Sequence, residues 1–413
     1  HSVKATSFML IAGEASGDLL AAELVGALKK APPVQAIPFP PRFFGAGGQQ
    51  MARQGVELAL DLTRHSVIGV SDVLRKYWEF KGIFDRLFAL AIDRRPDVIV
   101  CVDFSGFNRR FARAIKEHVR TLRGSFNNWE PRIVQYVSPQ VWASRPGRAF
   151  QLARDVDLLL SIFPFEKEWY ASRVPKLKVV FVGHPMVDRH RIAERGTRNA
   201  GQVADIALTS ATVPNILLLP GSRTGELKRH LPVMVDAAKH INRARPARFR
   251  MVLPNDALGT LAEPCKAQLH DLQLQIGGLA EALAEADLAI TKSGTITMEC
   301  AFFGVPAVVC YKTSWPTYLV GRIAVNVRHL AMPNLLAGEE IYPEFIQHHA
   351  TGENIARASL QLVNDTARRN AMKARLSGVM QSLGKPGASE RAAESVLKLL
   401  DEQPCPIRGA LGH

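Results

Sequence analysis

Two α/β domains, each built on a parallel sheet, are what this 413-residue sequence predicts. Three observations lead there. Short apolar runs rich in Val, Ile and Leu recur along the chain, each followed by a turn and a longer amphipathic stretch, which is the pattern of buried parallel strands joined by helices. The length exceeds one ordinary core of roughly 100–200 residues. A polar stretch over 189–213, with Gly196, Gly201 and scattered Ser and Thr, divides the runs into two groups. The expected layout is a Rossmann-like domain over 1–188, a linker over 189–213, a second Rossmann-like domain over 214–385, and a C-terminal helix and tail over 386–413. The two domains are expected to face a central cleft.

The first group of strands reads SFMLIAG, DVIVCVDF, RIVQYV, DLLLSIF and KVVFVG, and the second NILLLPG, FRMVLP, DLAITKSG and PAVVCY. IAGEASGDLLAAEL passes from the first strand through a glycine turn into a helix. The proline-rich APPVQAIPFPPRFFG makes a stiff loop between that helix and the next strand. After GKPGA, the segment SERAAESVLKLLDEQ predicts an amphipathic helix that packs back on one of the domains.

A hydrophobic fraction of 47% and a charged fraction of 22% are those of a folded globular chain. The formal charge of +14 calls for an anionic partner. No run of consecutive Lys and Arg interleaved with stacking aromatics supports nucleic acid, which leaves an acidic membrane surface or a phosphorylated small molecule. The five cysteines form no C-x-x-C pair and read as buried thiols of a reducing, cytoplasmic compartment. No apolar run approaches the roughly 18 residues of a membrane span. His184, His329, His348 and His349 lack partners at metal-ligand spacing, so no metal site is expected.

Two junctions in the second group suit a diphosphate. In NILLLPGSRTGELKRH a strand ends at Leu219, Pro220 and Gly221 turn, and Ser222, Arg223 and Thr224 lead into a helix bearing Glu226. The planar fork of Arg223 can hold a pyrophosphate bidentately; without a Walker ending, the same residues also fit an ordinary strand-turn-helix. DLAITKSGTITMEC repeats the build. Its loop at Lys292, Ser293, Gly294 and Thr295 offers backbone N–H groups, and Glu299 one turn into the helix can accept from ribose hydroxyls, with a capped helix and an exposed glutamate as the alternative. Two such turns without G-x-G-x-x-G favour a nucleotide diphosphate over a dinucleotide.

In the first group, Asp103 ends a strongly apolar strand and is followed by a glycine loop and Asn108, so it is either a general base or an Asx-turn residue. Glu14 and Asp18 would repel a phosphate from the opening turn, where a helix N-terminus otherwise attracts one. The segment VIGVSDVLRKYWEFKGIFDRLF mixes aromatic and basic side chains. It fits a lipid interface or an amphipathic core helix.

AGEASGD, FFGAGG, VIGVSDVL, PDVIVCVDFSGFN, YVSPQVWA, FPFEKEWY, FVGHP, LLPGSR, SGT with Glu299, and MPNLLAG follow one another in this order. With these motifs the chain resembles the lipid-A-disaccharide synthase family, inverting glycosyltransferases of the two-Rossmann GT-B type that attach peripherally to the anionic inner-membrane surface. The resemblance implies transfer of 2,3-diacylglucosamine from its UDP carrier to the 6-hydroxyl of 2,3-diacylglucosamine 1-phosphate, giving a β(1→6) disaccharide and UDP. Asp103 matches the family's proposed base, with Glu14 a second catalytic candidate. Gly221, Ser222, Arg223, Glu226, Ser293, Gly294, Thr295, Glu299 and Asn334 fall on the UDP side, and Gly13, Ser16, Gly17, Asp18, Asn108, Ser138 and Trp142 on the acceptor side.

On this resemblance the opening turn faces a sugar. Glu14 and Asp18 then accept from hydroxyls or raise the basicity of Asp103, and the alternative for Ser16 and Asp18 is helix capping. Val67, Ile68, Leu74, Tyr77, Trp78, Phe80 and Phe84, with Arg75, Lys76 and Lys81, become a membrane and acyl-chain contact. The UDP-sugar is a substrate, so no cofactor is implied, and no Asp-x-Asp stands at a strand end to imply a metal. A homo-oligomer is left open. A UDP-sugar 2-epimerase or a transferase with a soluble acceptor is the competing reading of the same architecture. Two departures from the family pattern stand out: Ser105 and Gly106 occupy the place of Pro-Asp, and Gln49 follows Gly47 and Gly48 where Pro is usual.

Overall fold

The computed structural model describes residues 5–32, 40–62, 73–122, 128–189, 213–269, 271–313 and 328–402, with side chains of the 73–122 segment described from Trp78 onward. The chain divides into two compact units, one formed by His1–Arg191 with Leu383–His413 and the other by Ile192–Ser382.

In the first unit the elements run β1 (Ser7–Ala12), α1 (Ala15–Lys30), β2 (Arg42–Gly47), α2 (Gln49–Arg53), β3 (Glu57–Asp61), α3 (Val73–Arg94), β4 (Val98–Val102), α4 (Ser105–Thr121), β5 (Arg132–Tyr136), α5 (Val141–Ser144), α6 (Arg148–Asp155), β6 (Leu158–Ser161), α7 (Pro164–Ala171) and β7 (Lys178–Phe181). The strands form one parallel sheet in the order β3-β2-β1-β4-β5-β6-β7. Chain direction across the sheet reverses between β1 and β4. Ligands of open α/β sheets collect outside the carboxyl ends at such a switch point.

The second unit contains β8 (Asn215–Leu219), α8 (Thr224–Ala244), β9 (Arg248–Leu253), α9 (Asp256–Ala262), β10 (Leu272–Ile276), α10 (Leu279–Ala284), β11 (Leu288–Lys292), α11 (Thr295–Phe302), β12 (Ala307–Tyr311), α12 (Met332–Ala337), β13 (Glu344–Ile346), α13 (Gly352–Asn364) and α14 (Thr366–Ser382). Its parallel sheet has the order β10-β9-β8-β11-β12-β13, so the switch point lies between β8 and β11.

The central strands are apolar throughout because helices cover both faces. Every residue of β1 and β4 is buried, and so are Ile216–Leu219 of β8 and Leu288–Thr291 of β11. The last helix, α15 (Ala388–Asp401), belongs to the first unit. Asp188 accepts from the backbone N–H groups of Gly387 and Ala388 at 2.5 and 2.9 Å, and Arg391 donates to the carbonyl of Val182 at 2.8 Å. The helix of the segment set apart at 386–413 is thus part of the first unit, tied down by side-chain bonds that no sequence pattern announces. Most of the expected linker lies outside the described residues.

Cys101, Cys265, Cys300 and Cys310 are buried free thiols, and Cys405 lies outside the described residues. Burial pushes the Cys101 and Cys310 thiols up to about 12. Among the described residues, no helix is long and apolar enough to cross a membrane.

Candidate functional site

Each switch point gathers some of the residues singled out in its unit: the Glu14 and Asp103 turns in the first, and the Ser222 and Ser293 turns in the second. In the first, the turn after β1 and the turn after β4 are neighbours. An added Cβ at Gly13 would fall 2.3 Å from the Phe104 ring, so glycine is what lets that ring close over the opening turn, and at Gly17 a Cβ would stand 3.7 Å from Cβ of Asp103. Asp103 is half-buried. Burial raises its carboxyl above the ordinary range, and the negative charge of Glu14 raises it further, against a backbone N–H of Phe104 that lowers it.

The backbone here is held in an unfavourable conformation. Asp103, Phe104 and Val137 have φ of 47°, 43° and 68°, the left-handed region that non-glycine residues avoid, most of all a β-branched valine. Buried amides hold it. Asn108 donates to the carbonyls of Asp103 at 2.9 Å, Val102 at 3.2 Å and Ile11 at 3.4 Å, while Gln135 donates to Val137 at 3.1 Å and Asp103 at 3.4 Å. Asn108 is therefore moved from the acceptor side to a positioning role, since it is fully buried with its amide nitrogen spent on backbone carbonyls. Gln135, unremarked in the sequence because it sits mid-strand, shares that work.

Asp18 is also reassigned. It is only 4% exposed, and its carboxylate accepts from the backbone N–H groups of Gly48 at 2.7 Å, Gln50 at 2.9 Å and Met51 at 3.1 Å. It caps α2, not its own helix, and has no face left for a sugar. The N-cap of α1 is Glu14 with no side-chain capping bond, so Ser16, exposed on the first turn, does not cap α1 either.

Ser138 and Trp142 converge on a carboxyl that the sequence did not single out. Trp142 donates to Glu166 at 3.0 Å, the Ser161 hydroxyl to the same carboxyl at 2.6 Å, and Ser138 shares a 3.0 Å bond with Tyr170. Burial drives Glu166 up to about 7, against the hydrogen bonds from Ser161, Trp142 and Ser138 that pull it down. The order Phe-Pro-Phe-Glu after an apolar strand was the available signal. It places a carboxylate in the first turn of α7. Ser138 and Trp142 thus hold a buried network, Ser138 itself being 3% exposed. His184 is likewise structural: it is buried against the Phe163 ring, accepts from Met186 N–H at 3.2 Å, and is pushed down to about 4 by burial and by Arg189.

In the second unit β8 and β11 are adjacent, so the two predicted phosphate turns lie side by side. Lys292, at the end of β11, pairs with Glu226 at 3.0 Å and ties one turn to the other. Glu226 also accepts from Ser222 N–H at 3.1 Å. Burial alone would raise the Glu226 carboxyl, but the Lys292 ammonium, the Ser222 N–H and the Arg223 charge together outweigh it and the net direction is down. Glu226 thus organises the turn and, in this structure, occupies the Ser222 N–H expected to meet a phosphate. Gly221, at φ 130°, has no room for a Cβ, which would fall 2.6 Å from a Glu226 oxygen. Arg223 is exposed at the N-cap of α8; Gly294 is the N-cap of α11, with Thr295 exposed beside it and Glu299 half-buried one turn on.

Asn334 does not reach toward a nucleotide. It is fully buried, donates to the Tyr342 carbonyl and to Glu344 at 2.8 Å each, and accepts from Ile341 and Tyr342 N–H at 2.9 Å each. Its place is behind the site, since Glu344 also accepts from Ala331 N–H at 2.8 Å and the Leu330 carbonyl accepts from the Ser293 hydroxyl at 2.9 Å.

The expected membrane segment divides. Val67 and Ile68 lie outside the described residues, and the side chains of Leu74, Arg75, Lys76 and Tyr77 are not described. Phe84 belongs to the core, edge-on to Phe107 at 5.6 Å and Phe111 at 5.7 Å, because α3 turns that face onto α4. Trp78 and Phe80 are 61% and 41% exposed, with Lys81 Nζ 5.2 Å from the centre of the Trp78 ring. Phe80 also stands 6.2 Å from Phe104, which joins the exposed patch to the Asp103 turn. Among the described residues, no three of His, Cys, Asp and Glu gather into a metal site.

Two parallel six- and seven-stranded sheets with sites at their switch points define a protein of the GT-B class, and solved structures of that architecture superpose on it. A UDP-GlcNAc 2-epimerase from Neisseria meningitidis aligns with a TM-score of 0.61 at 13% identity, covering 95% of this chain and all of that one. Acinetobacter baumannii MurG aligns at 0.53 and 15%, covering 96% and 100%. At these identities the likeness is one of fold. The sequence relatives are more specific: the lipid-A-disaccharide synthetase family model matches residues 8–398. Lipid-A-disaccharide synthases of Syntrophus aciditrophicus and Myxococcus xanthus are each 36% identical, covering 96% and 95% of this chain and 98% and 97% of their own lengths. The chain belongs to the lipid-A-disaccharide synthase family, and its activity is that of a glycosyltransferase of lipid A biosynthesis.

Proposed function

We propose that the first unit binds 2,3-diacylglucosamine 1-phosphate and the second binds UDP-2,3-diacylglucosamine, and that Asp103 is the general base of a single inverting displacement. Asp103 takes the proton of the acceptor 6-hydroxyl as its oxygen attacks the anomeric carbon of the donor. The bond from that carbon to the diphosphate oxygen breaks, and its electron pair leaves with UDP. Arg223, Lys292 and the N–H groups of the Ser293–Thr295 turn would meet the departing charge, and Glu299 the ribose. No metal is needed in this scheme. The observation that carries the base assignment is the half-buried Asp103 at the first switch point, its carboxyl raised by burial and by Glu14. A base is most effective with its pKa brought toward the working pH.

Both substrates carry acyl chains, so the exposed Trp78, Phe80 and Lys81 are proposed to touch an anionic bilayer, with Phe104 leading an acyl chain inward. The purified protein, given both diacylated substrates in mixed micelles, is expected to release UDP and disaccharide in equal amounts. Folded protein that forms neither overturns the proposal.

A further inference from the structure

A pocket of about 190 Å³ opens at the carboxyl ends of β4 and β5, lined by Ser105 and Arg109 of α4, Pro139 to Val141, and Ser144 and Arg148. All of its lining residues belong to the first unit. Arg109 and Arg148 are half-buried, and neither has a carboxylate within ion-pair distance among the described residues. That is unusual. Half-buried arginines are normally paired, since a desolvated charge left uncompensated is costly. Both guanidinium groups are pulled below their ordinary range: Arg109 by burial and then by Arg110 and Arg145, Arg148 by burial and then by Arg109 and Arg145. The cations therefore crowd one another around a cavity with no anion in its walls. The Ser105 and Ser144 hydroxyls and the first turn of the 17-residue helix α4 add hydrogen-bond donors.

The pocket's position relates it to Asp103. Ser105 follows Asp103 by two residues, and Arg109 stands one helical turn, roughly 6 Å, farther along α4 on the same face. We propose that Arg109 and Arg148, with Ser105 and Ser144, bind a phosphate monoester, the 1-phosphate of the acceptor sugar, and so present the 6-hydroxyl to Asp103. This rests on the assignment of the acceptor to the first unit. The planar guanidinium fork suits a phosphate dianion, and the site would select the phosphorylated sugar over one with a free anomeric hydroxyl.

The test uses the full chain in neutral mixed micelles, with Arg109→Gln, Arg148→Gln, the double variant and Arg148→Lys. Each is compared with the native protein on the acceptor with and without its 1-phosphate. The native preference for the phosphorylated acceptor is expected to collapse by roughly ten- to hundred-fold in each glutamine variant, through acceptor KM, with Arg148→Lys intermediate. Donor KM and UDP affinity, which also report on folding, should stay unchanged. An unchanged acceptor preference, or equal losses on both acceptors, overturns the proposal. Loss of sedimentation with phosphatidylglycerol vesicles while the micellar acceptor KM is kept would assign the pocket to a lipid headgroup and overturn it too. Native turnover in the same assay tests the parent reading separately. Should it be absent, binding of glucosamine 1-phosphate but not glucosamine, abolished in the double variant, still supports the phosphate site, and equal binding of the two sugars refutes it.

Discussion

Replacing Asp18 by alanine separates a structural carboxylate from a substrate contact. The native carboxylate serves three backbone N–H groups at 2.7, 2.9 and 3.1 Å, of which those of Gly48 and Met51 are buried. Truncation leaves those two donors without an acceptor in a site water reaches poorly, at about 1–3 kcal/mol each, and removes the charge that favours the N-terminus of α2. Together these predict a loss of about 3–5 kcal/mol. For a unit of this size that lowers the melting temperature by on the order of 10 °C. Urea and thermal unfolding of native, Asp18→Ala and Asp18→Asn proteins measure it, with asparagine intermediate because one oxygen can still accept. Acceptor KM of the surviving folded fraction should stay within about two-fold of native. A variant destabilised by less than about 1 kcal/mol but with acceptor KM raised ten-fold would refute this assignment and return Asp18 to the sugar.

Asp103→Asn is expected to lower kcat by roughly 10²–10⁴ and leave UDP affinity unchanged, measured by steady-state kinetics and calorimetry; turnover within ten-fold of native would remove it as the base. Glu14→Gln should shift the acid limb of the kcat/KM profile to lower pH. A base works deprotonated and is lost as pH falls through its pKa, and removing the Glu14 charge lowers that pKa; an unmoved limb would mean that the two carboxyls do not interact. Arg223→Ala and Lys292→Ala should each weaken UDP binding by roughly ten- to hundred-fold, and unchanged UDP affinity in both would exclude the paired turns as the diphosphate site. Trp78→Ser with Phe80→Ser should reduce sedimentation with anionic vesicles but leave UDP affinity intact, and undiminished sedimentation counts against the α3 patch as the membrane contact.

The nine apolar runs correspond to β1, β4, β5, β6, β7, β8, β9, β11 and β12; most are legible because the strands are buried on both faces, while the half-buried edge strand β7 is legible from its apolar Val-Val-Phe run alone. The strands not among those runs are β2, whose RFFGAG is broken by glycines, the edge strands β3, with no fully buried residue, and β10, with Leu272 alone buried, and the three-residue β13. The motifs also marked Asp103, Arg223 and the Ser293 turn, since residue type and position after a strand are local properties. What local pattern cannot reveal is which atoms are already spent. The carboxylates of IAGEASGD look equivalent in sequence, yet Asp18 is consumed by the backbone of α2 while Glu14 acts on Asp103 through space. Asn108, Asn334 and Glu226 read as ligands and act as braces in this structure, because side-chain bonds hold them to their own unit: Asn108 to Ile11 on the neighbouring strand, Asn334 to the loop at Ile341 and Tyr342, and Glu226 to Lys292 of the adjacent turn. The arginine pocket is the converse case. Arg109 and Arg148 are ordinary helix residues in sequence, and only the adjacency of β4 and β5 leaves them facing one cavity with no carboxylate between them.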